Sequence, residues 1–145
     1  MRIATLLMST LLLASSHVLA VEESQQGALR SEDDGYAIFL LVRSTNDWLA
    51  LSPQQRFGFL DKDVQPLLAA HPKVTMKFWD TEHFSSRVTD VILLQTQDLG
   101  QYRSLVEGLR ESKFWGHYFE VVDILPGIEN AYADHYGVKP YGDQR

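Results

Sequence analysis

An α+β fold of the ferredoxin-like β-α-β-β-α-β type follows from three features of the sequence. Four strand-length apolar runs are separated by two segments with helical spacing of apolar residues. Each helical segment opens on a capping residue. The middle two strands are joined by a short polar stretch, which favours an antiparallel pair. The expected architecture is a four-stranded antiparallel sheet with two helices on one face.

Tyr36 to Arg43 is an almost unbroken apolar run, as expected of a strand buried on both faces. Ser44 to Leu51 reads as a loop. Ser52 can cap the first helix, with Pro53 at its first position and Gln55 completing a capping box. Phe57, Leu60, Val64 and Leu67 then recur on one face. Pro66 lacks an N–H and is expected to kink or stop this helix near Gln65, with a last turn restarting. Val74 to Asp80 and Val88 to Gln95 read as the second and third strands, linked by the polar stretch Thr81 to Arg87. Asp98 caps the second helix, whose apolar stripe is Leu99, Tyr102, Leu105, Val106 and Leu109. Lys113 to His117 forms a turn, and Tyr118 to Leu125 the fourth strand, stopped by Pro126-Gly127. Ile128 to Tyr136 is expected as a short final helix.

The ends of the chain read differently. Met1 and Arg2 precede a leucine-rich run, and Val18 and Ala20 fit a small-x-small cleavage rule. Residues 1–20 are therefore expected to be an export signal, cut after Ala20 and too short to span a bilayer. Residues 21–35 form a polar leader, 36–138 the folded domain, and 139–145 a tail. About 125 residues remain after the cut, enough for one domain with its own core. The chain has no cysteine, so thiolate chemistry and disulfides are excluded even in an oxidising periplasmic or extracellular compartment. A net charge of -6 without a basic block makes nucleic acid a poor partner.

The strands are apolar on both faces. In the first, Ile38, Leu40 and Val42 point one way and Phe39 and Leu41 the other. In the fourth, strict alternation sets Val122 and Ile124 against Phe119, Val121 and Leu125. Two helices cover one face only. The second face would be an apolar patch larger than a monomer tolerates, which predicts a homodimer with its sheets face to face, a dimeric α/β barrel.

No phosphate-binding glycine loop, nucleophile elbow or HExxH motif is present. No cofactor and no metal site is expected. His117 and His135 are the histidines best placed for an axial haem role, but each lacks the surrounding ligands that a metal site needs. Chemistry-bearing charges fall at strand ends: Arg43, Asp80, Arg87, Asp90 and, within the fourth strand, Glu120. A structural ion-pair network explains them, as does a cleft in which Glu120 or Asp80 takes a proton and Arg43 or Arg87 holds an anion. Trp48, Trp115, Tyr118 and Tyr132 can serve as core and interface packing. With Asp90 as a polar anchor they can instead line a pocket for a flat organic ligand.

Several stretches resemble the darcynin family: Phe39-Leu40-Leu41-Val42-Arg43, Trp48-Leu49-Ala50-Leu51-Ser52-Pro53, Trp79-Asp80, and Phe114-Trp115-Gly116-His117-Tyr118-Phe119-Glu120-Val121-Val122. The resemblance continues through Ile124-Leu125-Pro126-Gly127 to Tyr132 and covers about residues 36–138. It implies the same ferredoxin-like domain and assigns no catalytic residue. The functional expectation is an exported protein that binds a small apolar or aromatic molecule. Its rivals are a cofactor-free monooxygenase- or isomerase-like enzyme and a domain of purely structural role.

Overall fold

The apolar run that opens the domain becomes the centre of its sheet. A computed structural model describes residues 35–142. The expected export signal, almost all of the leader and the last three residues of the tail lie outside the described residues. Strand β1 (Tyr36–Ser44) pairs antiparallel with β3 (Asp90–Thr96) on one side and with β4 (Phe119–Ile128) on the other. Strand β2 (Val74–Asp80) pairs with the far edge of β3. Among the described residues the sheet order is β2-β3-β1-β4, all antiparallel.

The helices lie on one face. Ser52 and Gln55 form the expected capping box, with Pro53 in the first turn of α2 (Pro53–Phe59). It follows a single helical turn, α1 (Asn46–Leu49), where a loop was expected. The cause is Thr45, whose hydroxyl accepts from Trp48 N and donates to His117 O at 2.6 Å. Pro66 does not end the helix. The missing N–H is absorbed by a π-helical turn over Leu60–Val64, where Gln65 N–H donates to Leu60 O, and α3 (Gln65–Ala70) resumes beyond it. Asp98 accepts from Gly100 N and Gln101 N and starts α4 (Leu99–Glu111). Gly108 lets α4 approach α3 closely, since a Cβ there would stand 2.7 Å from Leu67 Cδ2.

Two boundaries differ from the sequence reading. β3 starts at Asp90 rather than Val88, because Ser85 Oγ takes the N–H groups of Arg87 and Val88 at 3.1 and 3.3 Å. β4 runs through Pro126-Gly127 to Ile128. It is an edge strand, where a missing N–H on the outer side breaks no ladder. The final helix, α5 (Ala131–Tyr136), is correspondingly shorter than expected.

The core joins the helix-side row of the sheet to the helices. Ile38, Leu40, Val42, Ile92 and Leu94 pack with Phe59, Val64, Leu105, Leu109 and Phe114, all buried. Strict alternation fails in β4. A bulge near Val122 shifts the register, so Val121 pairs with Val42 but Leu41 faces Asp123. Ile124 therefore lies opposite Leu40 on the helix side, and Leu125 opposite Phe39 on the other face. This corrects the expected grouping of Leu125 with Phe119 and Val121. Leu40→Ala should lower unfolding stability by roughly 2–5 kcal/mol in urea titration. A loss under about 1 kcal/mol would contradict the placement of Leu40 at the centre of the core.

Candidate functional site

The face away from the helices is built from rows of residues that stand opposite one another across the strands. Lys77, Leu93, Phe39 and Leu125 form one row. Trp79, Val91, Leu41 and Asp123 form the next. Six of these eight are apolar. Phe39, Trp79 and Leu125 are 38, 58 and 49 % exposed, large fractions for such side chains within a sheet. Polar groups rim the patch. Arg43 and Glu120 close one end, with Nη1 and Oε2 3.2 Å apart.

At the opposite end the row is Thr75, Gln95, Ala37 and Gly127. Over Thr75, Gln95 and the small Ala37 lies a groove of about 400 Å³, lined also by Lys73, Thr96, Gln97 and Glu129. Lys73 precedes β2 and Glu129 follows β4, so opposite charges flank the groove at the two outer strands. Lys73 Nζ donates to Asp98 Oδ2 at 3.0 Å, and this bond holds the Asp98 carboxyl below the usual carboxylate range.

A second cluster lies at the start of β3, around Thr89. Its hydroxyl donates to Asp90 Oδ2 at 2.6 Å and accepts from Ser44 N at 2.8 Å. Asp90 and Asp80 are register partners. Burial pushes the Asp90 carboxyl up, and the charge and hydrogen bond of Asp80 add to it, while the Thr89 hydroxyl opposes. Two carboxyl groups thus share the end of the sheet, one of them half-buried.

The residues singled out from sequence fall into separate places. Arg43 binds Glu120 and also donates twice to the Arg87 carbonyl, from Nε at 3.1 Å and Nη2 at 2.7 Å. Glu120 is exposed rather than enclosed by the strand. An exposed pair of this kind contributes about 0–1 kcal/mol. Trp48 and Tyr118 come together, their rings 5.4 Å apart, in a cluster with Phe59 and Phe119. Arg56 lies over Trp48 and binds the carbonyls of Trp48 and Leu49, clipping α1 to α2. Trp115 packs on the same core with Arg110 stacked 5.3 Å above it. Tyr132 lies on α5, exposed, with Tyr136 as its ring partner at 4.9 Å. His117 Nδ1 is 3.5 Å from Asp47 Oδ2, and His135 stands beside Tyr136. Among the described residues no group of three or more metal-ligating side chains could hold an ion. Nor is any helix there long and apolar enough to cross a membrane.

Sequence reasoning missed the groove, because its floor depends on register. Thr75, Gln95 and Ala37 are unremarkable singly, and only strand pairing lines them up. The one available signal was a small residue, Ala37, in an otherwise bulky strand.

Comparison with known proteins places this geometry. A family model described as Darcynin, a domain of unknown function, matches residues 22–143. A darcynin homologue of Granulibacter bethesdensis is 43 % identical over 108 residues, 74 % of this chain and 87 % of its own. One from Streptomyces avermitilis is 46 % identical over 103 residues, 70 % of this chain and 85 % of its own. Among solved structures, a mutant chlorite dismutase from Candidatus Nitrospira defluvii aligns with a TM-score of 0.60 at 19 % identity, over 83 % of this chain and 52 % of that one. The same enzyme in complex with imidazole aligns with a TM-score of 0.60 at 20 % identity, over 86 % of this chain and 55 % of that one. This chain thus spans about half the length of the solved chains it matches, and at such identity the likeness is one of fold. With a family model matched over most of its length and relatives above 40 % identity, the chain belongs to the darcynin family.

Proposed function

We propose that the protein is an exported homodimer whose subunits join through the open sheet faces and hold a small organic molecule in the groove those faces enclose. The observation that carries this reading is the continuous apolar patch of Phe39, Leu41, Leu93, Val91, Trp79 and Leu125, ringed by charges. An apolar centre with a polar rim is the anatomy of a protein interface. The occupant is a second copy of the chain. One subunit spans about half of the chlorite dismutase chain it resembles, so two copies match the length of that chain. The groove opens on the same face, and its volume lies in the range of small-molecule sites. Residues 1–20 support export, which predicts that the intact mass of the protein from its host corresponds to a chain starting at Val21.

Sedimentation equilibrium tests the assembly. The wild type is expected to be dimeric at micromolar concentration. Leu93→Asp, which places a charge at the centre of the patch, is expected to be a folded monomer with unchanged far-ultraviolet circular dichroism. A monomeric wild type would overturn the reading.

The Asp80–Asp90 pair favours a second reading, an enzyme that moves a proton at this end of the sheet. Asp90 sits above the ordinary carboxyl range, so the folded chain binds its proton more tightly than the unfolded chain does. Stability from this group is present at low pH. It is lost as pH rises from about 4 through the raised native value. Asp90→Asn is neutral throughout. Its stability relative to wild type should therefore be greater at pH 7 than at pH 4 in urea titration. An equal difference at both pH values would show that the carboxyl is not perturbed in the folded state.

A further inference from the structure

The groove carries a chemical signature of its own. Its floor includes one cross-strand row, Thr75, Gln95 and Ala37, so it runs across the strands rather than along them. Three inter-strand spacings separate β2 from β4, about 14 Å. Lys73 stands at the β2 end and Glu129 at the β4 end. Between them the floor offers neutral hydrogen-bonding groups, the Thr75 hydroxyl and the Gln95 amide. The neighbouring cross-strand row, Leu93, Phe39 and Leu125, is apolar.

We propose that this groove binds a short zwitterionic ligand of di- or tripeptide size, with its ammonium at Glu129 and its carboxylate at Lys73. The inference rests on the reading of the groove as the ligand site and names the chemistry that site selects. An extended tripeptide measures about 10 Å from end to end, less than the ~14 Å that separates the outer strands. Lys73 keeps N–H donors beyond the one engaged by Asp98, so it can accept a second carboxylate. The amide groups of a peptide match Gln95 and Thr75. A purely apolar ligand would leave Glu129 unmatched and bury part of the Gln95 amide without a partner, which costs free energy.

Isothermal titration of the full dimeric protein with the tripeptide Ala-Leu-Ala tests this. The free peptide is expected to bind. N-acetylation or C-amidation should each weaken it by about tenfold or more, the loss of one charge-assisted contact. In Glu129→Gln the penalty for N-acetylation should vanish, and in Lys73→Met the penalty for amidation should vanish. These paired losses are not produced by a merely structural role for either residue. The inference is overturned if the doubly blocked peptide binds as tightly as the free one, or if no peptide binds at millimolar concentration. Parallel titration with indole-3-acetate separates this failure from failure of the groove itself. If that anion binds and Ala37→Trp, which fills the groove, abolishes it, the site stands and the zwitterion assignment is wrong. If Ala37→Trp alters no titration, peptide included, the groove is not the site and the inference falls with it.

Discussion

The structure depends on one constraint: β1 and β3 present apolar side chains on both faces, and among the described residues the helices that pack on the core cover only one. Ile38, Leu40, Val42, Ile92 and Leu94 are sealed by Phe59, Val64, Leu105 and Leu109. Their neighbours in sequence, Phe39, Leu41, Val91 and Leu93, necessarily point the other way. Sheets that read as continuous apolar runs occur where both faces are covered. The apolar residues without helical cover lie on the face that these helices leave open. The apolar patch, the charged Arg43–Glu120 rim and the groove are all placed there.

The bulge in β4 sharpens that division. Without it, Leu125 would lie over the helix-side core and the edge of the open face would be thinner. With it, Leu125 joins Phe39 and Leu93 in one row and Asp123 falls at the margin. Pro126 is tolerated beyond the bulge because β4 has no neighbour on its outer side among the described residues. The extended strand then carries Glu129 to the groove. A local irregularity thus decides which residues reach the open face and which reach the groove.

Much of the fold was legible in the sequence because local rules agree with one another. The capping box at Ser52, the Asp98 cap and the strand-length apolar runs all point to the same element order. What escaped sequence reasoning has a physical reason in each case. The α1 turn depends on a hydrogen bond from Thr45 to His117, more than seventy residues away. The start of β3 depends on Ser85 capturing two backbone N–H groups. The bulge and the groove depend on register, which periodicity within one strand does not contain. Of the charged candidates, Asp80 and Asp90 stand at strand ends and Arg87 precedes β3, and only the folded structure separates the exposed Arg43–Glu120 pair from the half-buried Asp90. Of the aromatic candidates, Trp48 and Tyr118 belong to one cluster with Phe59 and Phe119, where the rings contact each other, while Tyr132 lies apart on α5.

Native mass spectrometry of the protein purified from its host tests the central claim most directly, because it reads subunit count and retained ligand together. The account predicts a dimer, with ligand mass released together with the dimer contact when Leu93→Asp separates the subunits. A bare monomer under gentle ionisation would contradict it, since the open sheet face would then stand uncovered in water.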